Sequence, residues 1–213
     1  VLTDESNKVP AILNVWFPGS EAGYAIADVL FGDINPSGKL SSTFPRSVGQ
    51  IPLYYNAKNT GRPLNNTQGT FEKFRTNYLD ERNEPLYPFG YGLSYTTFKY
   101  GDIQISAKQI NASQTTTVTI PVTNTGNFDG KEVVQLYIRD LVGSVTRPVK
   151  ELKGFKKIEI KKGETAIVSF EISVEDLKFY NSDLQFVAEP GTFEVFVGTD
   201  SNASSKISFD LVK

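Results

Sequence analysis

The stretch "TVTIPVTNTGNFDGKEVVQLYIRD", residues 117–140, is written with a period of two. Val118, Ile120 and Val122 alternate with Thr117, Thr119 and Pro121; beyond a turn at Asn124-Thr125-Gly126, Val134, Leu136 and Ile138 alternate with Gln135, Tyr137 and Arg139. Successive side chains of a strand point to opposite faces, so this pattern predicts two half-buried strands joined by a turn. Outward from it the same period recurs in "KKIEIKKG", in "TAIVSFEISV" through Ala166, Val168, Phe170 and Ile172, in "GTFEVFVGTD" and in "SKISFDLVK", with a first strand expected in "FKYGDIQISA". About seven short strands, separated by turns such as Lys162-Gly163 and Pro190-Gly191, predict an antiparallel β-sandwich over residues 95–213.

Upstream of Tyr95 the chain changes character. "VPAILNVWFPG" is a continuous apolar run closed by Pro18-Gly19, the pattern of a buried strand of an α/β sheet. "SEAGYAIADVLFGD" then predicts a helix, with Ser20 as N-cap, Glu21 at the positive end of the dipole, an apolar stripe of Ala22, Ile26, Val29 and Leu30, and Gly32 as the stop. One strand and one helix cannot close a core between them, so residues 1–57 are expected to be a piece of a larger α/β layer. Residues 58–94 form a connector ending in "YPFGYGLS". The sandwich carries no tryptophan and no cysteine, which sets aside the antibody-type disulfide framework and leaves a fibronectin type III-like (immunoglobulin-like) variant. The fold class expected is therefore mainly β, a fibronectin type III-like sandwich preceded by an α/β fragment.

Composition narrows the function. With 39% hydrophobic and 22% charged residues the chain should bury a core. Its net charge of -2, from 22 basic and 24 acidic residues in mixed order, offers no basic patch, so neither nucleic acid nor a membrane surface is expected as a partner. The absence of histidine and cysteine removes serine-histidine triads, thiolate nucleophiles and the usual zinc sites, and no cofactor or metal is expected. No methionine is present, which predicts a processed product or an excised piece.

Three blocks carry a resemblance: "AILNVWFPGSEAGYAIADVLFGDINPSGKLSSTFPRSVGQIPLYY", "YLDERNEPLYPFGYGLSYTTF" and the pair "VTNTGNFDGKEVVQLYIRD" and "RPVKELKGF". In order and spacing they are similar to the carboxy-terminal part of family 3 glycoside hydrolases, with the greatest likeness to bacterial periplasmic β-glucosidases. The resemblance implies a retaining hydrolase in which a (β/α)8 barrel and an α/β domain precede this region as its partners, a β-glucoside substrate, and periplasmic or exported placement. Retaining hydrolysis needs a nucleophilic carboxylate and an acid/base carboxyl. In the family both lie upstream of "AILNVW", so no catalytic residue is carried over and the chain alone is expected to be inactive. The alternative is a non-catalytic module that binds carbohydrate or protein through the sandwich.

Asp80, Glu81 and Glu84 beside Arg75 and Arg82 are expected to be a solvated, charge-mixed surface, and Glu21, Asp28 and Asp33 to serve the helix. Trp16 is the obvious sugar-stacking candidate but is expected in the core; Tyr54, Tyr55 and Tyr78 are expected along a cleft edge. Tyr87, Phe89, Tyr91, Tyr95 and Phe98, with bends at Gly90 and Gly92, are expected to pack between the front of the chain and the sandwich. Sequons at Asn65, Asn111 and Asn202 are read as chance occurrences.

Overall fold

The structure is a computed structural model that describes residues 1–64 and 71–213; the sequon at Asn65 lies outside the described residues. Helix α1 spans Thr3–Ser6, α2 Ala22–Phe31 and α3 Val174–Leu177. The strands are β1 (Phe98–Tyr100), β2 (Gln104–Ile105), β3 (Gln109–Ile110), β4 (Thr116–Asn124), β5 (Gly130–Asp140), β6 (Glu151–Ile160), β7 (Thr165–Ile172), β8 (Phe179–Tyr180), β9 (Phe186–Val187), β10 (Gly191–Gly198) and β11 (Lys206–Leu211).

Two sheets form the expected sandwich. In the first, β4 is central: β7 pairs along one side from Thr116↔Ile172 to Thr123↔Thr165, and β1 and β2 share the other side. The second has the order β3-β11-β10-β5-β6, antiparallel except for the parallel β3·β11 pair. Between them lies one apolar core, in which Val118, Ile120 and Val122 of β4 meet Val134, Leu136 and Ile138 of β5, together with Phe193, Val195 and Val197 of β10. Strand β4 alternates buried and half-buried along its whole length, as its period of two predicts. The first expected strand is instead broken into β1 and β2 by Gly101-Asp102-Ile103, while β3 and the short β8·β9 pair carry too few residues to leave a periodic signal.

Strand β5 departs from its expected half-burial. Gln135 and Tyr137, on the face away from the core, are buried as fully as Leu136 and Ile138, because the front of the chain covers them.

The front is only partly as predicted. Helix α2 ends where Gly32 adopts the left-handed conformation (φ +86°) and donates its N–H to the Val29 carbonyl. Its N-cap is Glu21 rather than Ser20, with no side-chain capping bond. Residues 9–19 form no strand, and Trp16, expected in the core, is 61% exposed with its ring edge-on to Phe44 at 6.3 Å. A lone extended run has no ladder to complete without neighbouring strands, and none of the described residues supplies one. Phe17 is fully exposed, Phe31 is 84% exposed, and Tyr24 and Leu30 are also open to solvent, so the front presents an apolar surface with no cover among the described residues.

Candidate functional site

The segment Tyr87–Phe98 is folded into a corner that binds the front to the outer face of β5. Residues 40–44 run beside 86–91: Leu40 N–H donates to Tyr91 O (2.8 Å), Gly90 N–H to Leu40 O (2.7 Å) and Phe44 N–H to Tyr87 O (2.9 Å). Phe89 stacks on Tyr55 (centroids 4.3 Å, 17°), and Tyr55 meets the buried Tyr137 edge-on at 5.9 Å. Tyr87 and Tyr91 stack on each other at 5.1 Å, which spends their faces within the corner. Phe98 lies on β1 against the sandwich core, and Tyr95, 46% exposed, reaches back to α2, its hydroxyl donating to Val29 O at 2.6 Å.

A buried polar network locks this corner. The Tyr137 hydroxyl donates to Gln135 Oε1 (2.5 Å), and Gln135 Nε2 donates to Gly90 O (3.1 Å) and Thr199 O (2.5 Å). Gly90 has φ +81°, and a Cβ there would lie 2.1 Å from Gln135 Oε1, so both its conformation and its surroundings demand glycine. Gly92 is required by space alone, since a Cβ would lie 2.3 Å from the Gly38 carbonyl oxygen. Nearby, Glu132 is buried and accepts from Tyr100 Oη (2.8 Å) and Lys39 Nζ (3.4 Å), which ties the front to both sheets. Burial first, and then the Glu132 charge, pushes the Tyr100 phenol above its ordinary range; burial, then Tyr55, does the same for Tyr137.

Where the corner meets the sheet, a cleft of about 770 Å³ opens. Leu53, Tyr54 and Asn83 line one wall, and the other is the outer face of the second sheet. Strand register builds that wall. Arg139 lies opposite Glu194, Tyr137 opposite Phe196, and Phe196 opposite Lys206, so cations, a carboxylate and a ring alternate across β5, β10 and β11. Glu194 is buried; its Oε1 holds the Lys206 ammonium, and its Oε2 lies 3.9 Å from Arg139 Nη1, beyond hydrogen-bonding distance. Lys150 Nζ sits 4.4 Å from the Phe196 ring centroid and donates to Ala203 O (2.9 Å). Burial holds its pKa below the usual lysine value, with Asp200 opposing.

The candidate residues of the sequence are dispersed. Tyr54 and Tyr55 line this cleft, and Tyr78 is not among its lining residues. Asp80 and Glu84 are exposed, Glu81 Oε1 accepts from the Arg82 N–H, and Arg75 pairs with Glu72 (3.3 Å) rather than with that cluster. Glu21 caps α2 with its carbonyl, which accepts from the Ala25 N–H, and Asp28 O accepts from Ile34 N–H. Asn111 is half-buried, and Asn202 is exposed and lines the cleft. No group of three or more acidic side chains converges as a metal site among the described residues. The sequence reading missed Arg139, Lys150, Glu194, Phe196 and Lys206. Their only local signal was polar or bulky residues at outward positions of adjacent strands, and register alone brings them together.

Comparison with known proteins agrees with this architecture. Residues 1–95 match the glycosyl hydrolase family 3 C-terminal domain, and residues 132–201 match the fibronectin type III-like domain. A periplasmic beta-glucosidase of Salmonella typhimurium is 52% identical over 99% of this chain and 27% of its own length, and a beta-xylosidase of Formosa agariphila is 48% identical over 93% of this chain and 26% of its own. The crystal structure of a beta-glucosidase from Listeria innocua in complex with glucose superposes with a TM-score of 0.93 at 42% identity, covering 100% of this chain and 29% of that one. The chain thus spans about a quarter of the length of the curated relatives it matches. From its exposed front to its closed sandwich, it belongs to the carboxy-terminal region of glycosyl hydrolase family 3, the family's C-terminal domain followed by a fibronectin type III-like domain.

Proposed function

We propose that this chain is the carboxy-terminal part of a retaining β-glucosidase, in which it braces an active site whose two catalytic carboxylates lie outside residues 1–213. The supporting observation is the contrast between the ends of the chain. The sandwich closes its own core, whereas Trp16, Phe17, Tyr24, Leu30 and Phe31 expose a large apolar surface of the kind that an isolated module has no use for. An upstream α/β layer and (β/α)8 barrel are the partners that fit it. Retaining hydrolysis needs a carboxyl pair about 5 to 5.5 Å apart, and the cleft wall holds one carboxylate, Glu194, already engaged by Lys206.

In this reading residues 1–57 complete the α/β domain, 58–94 connect it and 95–213 form the terminal domain. The β-glucoside substrate and the periplasmic or exported location follow the names of the relatives. No helix among the described residues is long and apolar enough to cross a membrane.

The test is hydrolysis of a chromogenic aryl β-glucoside by the purified chain, alone and mixed with the polypeptide encoded immediately upstream. Turnover only in the mixture is expected. Turnover by the chain alone would overturn the placement of the carboxylates, and an associated but inactive mixture would overturn the substrate.

A further inference from the structure

We propose that the cleft between the front of the chain and the second sheet is a binding site for an acidic saccharide, a hexuronate unit whose carboxylate is received by Arg139 and Lys206 and whose ring lies along Tyr54.

The charge pattern comes first. The cleft is lined by Arg139, Lys150 and Lys206 against a single carboxylate, Glu194, an excess of two positive charges on a chain whose net charge is -2. Asp200, which acts on Lys150 from outside the lining, offsets part of that excess and leaves the cleft cationic. A cationic recess on an otherwise acidic chain concentrates anions locally.

The donors are also available and positioned. The Arg139 side chain is 40% exposed, and no acceptor among the described residues lies within hydrogen-bonding distance of its guanidinium; Glu194 Oε2 holds it only as an ion pair at 3.9 Å. The Lys206 side chain is 50% exposed and uses one of its three donors on Glu194. Glu194 therefore lies between two cations that both line the cleft, bonded to Lys206 and only ion-paired with Arg139. A planar guanidinium fork beside an ammonium is the arrangement that receives a carboxylate in two-point fashion.

The remainder of the lining suits a sugar ring rather than a bare anion. Tyr54 is 66% exposed on the opposite wall and offers an open aromatic face. Asn83, Asn202 and Ser204 supply amide and hydroxyl groups of the kind that hydrogen-bond ring hydroxyls. The volume, about 770 Å³, is that of a small-ligand cleft, and its position between two packed units is a common one for such sites.

The experiment is a titration of the full 213-residue chain with methyl β-D-glucuronoside, followed by amide chemical shifts. Saturable shifts are expected at Arg139, Tyr54 and residues 201–206, with a millimolar dissociation constant. Arg139→Gln, at a position exposed enough to keep the fold, should weaken binding by about tenfold, the loss of one charge-assisted pair. Tyr54→Ser should weaken it as well, and methyl β-D-glucoside, the same ring without the carboxylate, should bind at least as weakly as the Arg139→Gln variant binds the uronoside. Three results would overturn the proposal: no saturable shift, equal affinity for the neutral glucoside, or equal affinity for inorganic phosphate that Tyr54→Ser leaves unchanged, which would reduce the cleft to an unspecific anion patch.

Discussion

Asn124 is completely buried, yet none of its hydrogen-bonding capacity is wasted. Its Nδ2 donates to Phe128 O (2.8 Å) and Ile160 O (2.9 Å), and its Oδ1 accepts from Thr96 Oγ1 (2.6 Å) and Gly126 N–H (3.1 Å). A buried amide with four partners fixes the β4–β5 turn and fastens Thr96, just past the connector, to it. Replacing it with Ala strands the Ile160 carbonyl and the Thr96 hydroxyl away from water and removes two part-buried bonds besides, and the expected loss is about 3 kcal/mol in chemical denaturation. Gly90 and Gly163 make a paired test of what glycine is for. Both have positive φ, but a Cβ at Gly163 meets nothing within 4 Å, whereas at Gly90 it collides with Gln135. Gly163→Ala should cost only the backbone term, about 1 kcal/mol. Gly90→Ala should cost distinctly more, and calorimetric melting of the two variants side by side measures the difference.

At the scale of elements, the corner formed by Tyr87–Phe98 is where packing replaces regular secondary structure. Phe89 is half-buried, with one face on Tyr55, and its carbonyl accepts from Ser201 N–H at 2.9 Å. Full burial of a phenylalanine would predict 3 kcal/mol or more for truncation to Ala; half-burial with one stacked neighbour lowers the expectation to about 2 kcal/mol. Limited proteolysis should then show faster cleavage between residues 58 and 94 in Phe89→Ala, while the sandwich resists. Unchanged cleavage would mean that the ring contributes little to holding the corner closed. Elements differed in how far they could be read ahead of the structure. Strand β4 and helix α2 were legible because their information is local: alternation in one, an apolar stripe and a glycine stop in the other. Residues 9–19 were not, since a continuous apolar run describes a covered strand and an uncovered segment equally well. Strand β5 failed for the opposite reason. Gln135 and Tyr137 look like outward-facing residues, and they are covered from more than 40 residues away in sequence, Tyr137 by Tyr55 and Gln135 by the corner at Gly90.

For the molecule as a whole, the buried phenols set a limit at alkaline pH. Folding keeps Tyr100 and Tyr137 protonated beyond the ordinary phenol range, burial being the first cause for both. In the unfolded chain they ionise near pH 10. Above that pH the unfolded state binds fewer protons than the folded one, so the unfolding free energy is full below about pH 10 and falls as pH rises. For each such tyrosine the slope approaches about 1.4 kcal/mol per pH unit. Of the ten tyrosines, these two should gain their phenolate absorbance only together with the loss of β-sheet circular dichroism. Reversible ionisation of all ten in the folded chain would contradict their burial. The cleft belongs to this same scale, which is why it could not be read in advance. Its lining runs from Thr43 to Lys206, and the charge pattern appears only once three strands are in register.

The outer face of β5 also bears on how such proteins can be recombined. Gln135 and Tyr137 belong by sequence to the sandwich, but Gly90, which accepts from Gln135, and Tyr55, which packs on Tyr137, belong to what precedes it. A chimera spliced at Tyr95, where the sequence changes character, would separate a lock from its key. Its terminal domain would carry a buried amide cut to another protein's corner. The splice that preserves the fit lies ahead of Asn35, which bonds Tyr95 and Asp129, so that residues 35–44, the corner and the sandwich are inherited as a single unit.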